Sequence, residues 1–145
     1  MRTIRRLLAV AAATATTTAG LLFPTAGTAQ AAVQYKTIPF NTMRAGDCTM
    51  FRGATWTLGS DGSARFDAIV TSSDDHDAWL MWPHLQDANR AELGFVYNWP
   101  WPSAGHNKFV INLPHHTERY HWRPTGTFDP RLFGEIRHMA LDNRC

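Results

Sequence analysis

The chain lacks most of the features by which a sequence discloses its chemistry. Of its 145 residues only two are cysteine, Cys48 and Cys145, and only three are glutamate, Glu92, Glu118 and Glu135. No serine occupies a Gly-x-Ser-x-Gly elbow, so the signature of a strained acyl-transfer nucleophile is missing. No glycine-rich loop is placed to cradle a phosphate, and no His-Glu-x-x-His pair provides a zinc-protease helix. No uninterrupted apolar run reaches the roughly 20 residues that span a bilayer. The best attempt, Leu7 to Ala13, is broken by Thr14, Thr16, Thr17 and Thr18.

A surplus of one charge is missing too, once the N-terminus is set aside. Arg2, Arg5 and Arg6 stand ahead of an uncharged Leu/Ala/Thr stretch ending in Ala29-Gln30-Ala31. That order of basic, apolar and small residues predicts a secretory signal peptide over residues 1–31, with the general route favoured over the twin-arginine one. Three of the 14 basic residues and none of the 12 acidic ones precede the cut, so the formal charge of +2 becomes −1. Such a surface offers no field to concentrate phosphate, which argues against nucleic-acid and anionic-membrane partners. The remaining residues, 32–145, predict one secreted domain, monomeric and released from the membrane. At that length a chain buries roughly two thirds of its unfolded surface.

What is present is a period of two. Thr55 to Leu58, the turn Gly59-Ser60-Asp61-Gly62 and Ala64 to Val70 read as a hairpin, with Ala64, Phe66, Ala68 and Val70 on one face. Ala78 to Leu85, Leu93 to Trp99, Phe109 to Leu113 and Arg119 to Trp122 supply further strands, and Tyr35 to Phe40 an edge strand interrupted by Pro39. The fold class expected is mainly β, an antiparallel meander of about six strands forming a barrel or sandwich. At the end of the chain the period changes. Leu132, Phe133, Ile136, Met139 and Ala140 share a helical stripe, with Asp129 as N-cap and Pro130 in the first turn. One C-terminal α-helix packed on the sheet is therefore expected, with Gly134 allowing close contact. Export into an oxidising compartment predicts a Cys48–Cys145 disulfide.

Three constellations could carry chemistry. Asp74, Asp75 and Asp77 surround His76, and their oxygens could serve calcium or, with a ring nitrogen, zinc. The bland alternative is a solvated turn. His115, His116 and His121 form a second group, but on extended chain His115 and His121 would lie about 20 Å apart at 3.3 Å per residue. A surface role fits them better than three converging metal ligands. The third is aromatic. Phe95, Tyr97, Trp99 and Trp101 recur at every second position, with Pro100 and Pro102 stiffening the end of the run. Core packing is expected for Phe95 and Tyr97. Trp99 and Trp101 could form a stacking platform for a carbohydrate or another protein.

Trp56-Thr57-Leu58, Asp61-Gly62, Ala64-Arg65-Phe66, Ser73-Asp74, Asp77-Ala78-Trp79 and the closing Phe128-Asp129 to Cys145 resemble an uncharacterised family of small secreted bacterial proteins. The resemblance implies secretion and extends over nearly the whole of residues 32–145. It implies no activity and no site residues. The function expected is thus a non-catalytic binding protein of unknown ligand, using Tyr97, Trp99 and Trp101 and needing no cofactor. Its alternatives are a small metal-assisted extracellular hydrolase and a β-barrel carrier of a small apolar ligand.

Overall fold

Two ten-residue strands organise the chain, each at the centre of its own antiparallel sheet. The computed structural model describes residues 31–102 and 106–145; the expected leader lies outside them except for Ala31. Strand β5 (Ser63–Ser72) buries Ala64, Phe66, Ala68 and Val70 on one face, as its alternation predicts. Over its first half it is paired by β4 (Thr55–Gly59) and β10 (Thr125–Thr127), which share Ala64 and Arg65 as partners and so lie on opposite edges. Over its second half β3 (Cys48–Met50) and β9 (Tyr120–Trp122) share Val70 in the same way. Strand β1 (Tyr35–Pro39) pairs with β4, and β2 (Met43–Ala45) pairs with β3, completing a sheet of seven. Pro39 ends an edge strand, the place where a missing N–H removes no ladder bond.

Strand β6 (Asp77–Gln86) centres the second sheet, with β11 (His138–Arg144) along one edge and β8 (Phe109–Leu113) then β7 (Glu92–Phe95) along the other. Pro83 would be out of place in a central strand, but its carbonyl accepts from Val96 on the β7 side. Its nitrogen faces that side too, in the gap where β8 has ended and β7 has not begun. The sheets face each other across rings: Trp56 lies 5.0 Å from Phe66 and 5.4 Å from Phe109 of the opposing sheet, and Phe66 lies 5.4 Å from Trp122. Trp79, Met81 and Leu85 complete the filling from β6.

Four expectations are corrected. Eleven strands occur among the described residues, in orders that are not a meander; β2, β3 and β10 are additional and, at three residues each, too short for alternation to announce, and β11 is additional too. The strand expected from Leu93 to Trp99 stops at Phe95, and Tyr97 keeps only an isolated bridge. The C-terminal α-helix is absent. Asp129 and Pro130 do start a helical turn, with Asp129 accepting from the Arg131 N–H, but it is a single 3₁₀ turn over Pro130–Leu132. The chain then pairs residue by residue with β6, from His138↔Gln86 to Arg144↔Leu80. A helix of about ten residues is marginal alone, whereas the open edge of a buried ten-residue strand must be paired. Gly134 does not approach the sheet: among the described residues, no atom beyond its chain neighbours lies within 4 Å of where its Cβ would be.

The disulfide between Cys48 and Cys145 is present, joining β3 to the residue after β11. Among the described residues no helix is long and apolar enough to cross a membrane.

Candidate functional site

After β7 the backbone alternation inverts the expected faces. Val96 is the fully buried residue of the segment, while Phe95 and Tyr97 are half-buried on the other side. The core position expected for these two rings is therefore corrected. Their rings instead continue outward as a row, Phe95 to Tyr97 at 6.4 Å and Tyr97 to Trp101 at 5.5 Å. Trp99 leaves the row. It is 57% exposed and lies 5.6 Å from the His106 ring, whereas Trp101 is 36% exposed.

The loop carrying these indoles is held by residues whose role the local pattern does not reveal. Thr127 exchanges both backbone hydrogen bonds with Tyr97 at 2.8 Å. Its hydroxyl accepts from the Trp101 N–H at 2.8 Å and donates to the Trp99 carbonyl at 2.7 Å. Gly126 makes the approach possible, since a Cβ there would meet the Tyr97 carbonyl oxygen at 2.6 Å. Asn98 closes the loop base, its N–H donating to the His106 carbonyl at 2.6 Å and its side chain to the Lys108 carbonyl at 2.8 Å. Phe95 also joins the row to the outer face of β6, because its ring lies 4.7 Å from His84. The two nitrogens of His84 face carboxylates, Glu92 at 2.7 Å and Asp142 at 3.3 Å.

The six expected metal-ligand candidates are distributed over several partners. Asp75 and His116 meet: the His116 backbone N–H and ring Nδ1 reach one Asp75 oxygen at 2.6 and 2.7 Å. Those bonds hold the Asp75 carboxyl below its usual range. Asp74 donates its backbone N–H to the Ser72 hydroxyl oxygen, and that hydroxyl donates to Asp77. Asp74, Asp75 and His76 therefore lie in the solvated turn between β5 and β6, and Asp77 begins β6. Residues 115–117 form a bend and turn and not the extended chain expected, with Thr117 at a φ of 64°. His115 donates its backbone N–H to the Tyr120 hydroxyl. Loss of solvent around that phenol, with the Glu118 carboxylate beside it, pushes its pKa up.

His121 points to the outer face of β5, where it donates to Asp67 at 2.8 Å while Arg123 reaches the other Asp67 oxygen at 2.9 Å. The His121 hydrogen bond, and after it the bond from Arg123, keep the Asp67 carboxyl low against the loss of solvent around it. Asp67 was not among the candidates, because only the β5–β9 register brings it beside His121. Among the described residues the one convergence of three ligand-bearing side chains is Cys48, Asp77 and Cys145, whose sulfurs already form the disulfide.

Beside the aromatic row the outer face of β6 and β11 opens a groove of about 560 Å³, walled on its far side by Met43 and Arg44 of β2. A smaller recess of about 280 Å³ lies under Trp101, against Pro100, Phe128 and Pro130.

The chain belongs to the family of unknown function DUF6294, whose sequence profile matches residues 55–145. The match starts at β4, so the first three strands lie outside it. No curated protein and no solved structure matches.

Proposed function

We propose that this member of a family without an assigned activity is an exported, non-catalytic binding protein. It holds a carbohydrate against the surface made by Tyr97, Trp99 and Trp101. The observation that carries the reading is that two indoles stay open to solvent on a loop pinned at several backbone positions. Exposed rings held in place lose little freedom when a sugar ring stacks on them, which is what makes aromatic platforms effective. A disulfide between distant residues supports an oxidising compartment and hence export. The tightly filled space between the sheets, with Trp56, Phe66, Trp79 and Phe109 in it, favours an external ligand surface over an internal one.

The test is a glycan array followed by tryptophan-fluorescence titration of the saccharides retained, on the wild-type protein and on W99A and W101A. Acrylamide should quench the wild type, saccharide should protect it, and each variant should bind at least about tenfold more weakly. Unchanged affinity in both variants would sink the proposal.

A further inference from the structure

The groove beside the aromatic row is lined by two arginines, Arg44 and Arg144, and one acid, Asp142. Its floor is Trp82 and His84 of β6, and Asp142 and Arg144 of β11 flank them in the register Asp142↔Trp82 and Arg144↔Leu80. Its far wall is Arg44. The acids beside it, Glu92 and Asp142, share the one His84 ring between them. The arginines stand apart from both. Among the described residues no carboxylate lies within ion-pair distance of Arg44 or Arg144, and both side chains are exposed. Arg144 instead lies over the Trp82 ring, 5.6 Å from its centroid. A guanidinium stacked on an indole keeps its edge N–H donors free, and that planar fork suits a carboxylate or sulfate.

Position adds to charge. Phe95 lines the groove and also begins the ring row that runs through Tyr97 to Trp101. A chain-like ligand stacked on those rings would enter the groove at the His84–Phe95 contact and meet two unpaired guanidiniums. The groove volume, about 560 Å³, falls within the roughly 300–1,000 Å³ of ligand sites. We infer that the ligand is an acidic oligosaccharide, anchored through a carboxylate or sulfate by Arg44 and by Arg144 on its Trp82 support, with neutral sugar rings continuing along the aromatic row. This inference rests on the carbohydrate reading above and names the class of saccharide.

The experiment compares matched pairs of ligands on the intact protein by calorimetry: an oligogalacturonide against its methyl ester, and a heparin-derived oligosaccharide against its desulfated form. The two pairs distinguish carboxylate from sulfate as the anchoring group. At least one acidic member should bind about tenfold or more tighter than its neutralised partner, with affinity falling as salt is added. R44Q, on the exposed strand β2, should remove most of that difference without changing the melting temperature. R144Q should do the same, and W82F, which alters the support under Arg144, should weaken the acidic member more than the neutral one.

If acidic and neutral members bind equally and R44Q and R144Q behave as wild type, the inference is overturned while the carbohydrate reading stands. If W101A binds as wild type but R44Q does not, the groove is the site and the aromatic row is not. If no saccharide binds, or an acidic peptide of equal charge competes fully, the inference is overturned.

Discussion

Thr127 and Tyr97 exchange two backbone hydrogen bonds of 2.8 Å each, forming the isolated bridge between β10 of the first sheet and the aromatic loop of the second. The Thr127 hydroxyl adds bonds to Trp99 and Trp101, so one small residue positions three aromatic neighbours.

T127V keeps the shape and the backbone bridge but deletes both hydroxyl bonds. Each should be worth about 1 kcal/mol, so a loss of about 1–3 kcal/mol is expected, with greater acrylamide quenching of tryptophan emission. Denaturant melts and quenching measure both. A stability loss without any change in quenching would remove the positioning role.

The two fully buried indoles of the core should respond differently to the same change. Trp79 donates its Nε1–H to Asn143 at 3.0 Å, whereas the Trp56 Nε1–H meets no acceptor among the described residues. W79F strands the Asn143 oxygen and breaks a bond joining β6 to β11; W56F removes an unpaired donor along with some ring volume. W79F should therefore be the more destabilising, by about 1–3 kcal/mol, as read by denaturant unfolding. Equal losses would contradict this account.

Removal of the disulfide should be felt mainly at the end of β11. Cys48 and Cys145 are 97 residues apart, and closing a loop of that length stabilises by about 4–5 kcal/mol in the chain-entropy model, often less in practice. Reduction, or the C48A/C145A variant, should lower the melting temperature and speed amide exchange from Asp142 to Arg144. Exchange rates unchanged there would show that the β6–β11 ladder holds that end by itself.

Acid should weaken the fold through Asp67 and Asp75. Hydrogen bonds from His121 and His116 hold both carboxyls below their ordinary value in the folded state. The unfolded chain therefore takes up protons first, and stability falls as pH drops. The contribution is complete above about pH 4 and is lost as pH descends through the lowered folded values. Melting temperatures measured from pH 7 to pH 2 should fall most steeply below about pH 4, and D67N or D75N should flatten that fall. A wild-type slope kept in both variants would assign acid sensitivity elsewhere.

Legibility followed range. The hairpin of β4 and β5 was readable because alternate small and aromatic residues meet a Gly-containing turn, and Gly62 does adopt a φ of 84° there. The prolines beside Trp99 and Trp101 exclude a central strand but leave core and surface both open, and the structure places both rings at the surface. Phe95 and Tyr97 were misjudged because period two fixes which residues share a face and is silent on which face meets the core. Thr127, Asp67 and the Arg44–Arg144 groove left no local signal, because each acquires its neighbours through strand register.

The sequence by itself determined a cysteine-linked, antiparallel β protein with its aromatic loop, because side-chain alternation and turn chemistry act over a few residues. Only the tertiary structure decided the fate of residues 130–144. Their apolar spacing suits one face of a helix, and a short helical turn does begin at Pro130. Backbone groups, however, must find partners somewhere, and the unpaired edge of β6 offered a seven-residue register that no local signal could announce.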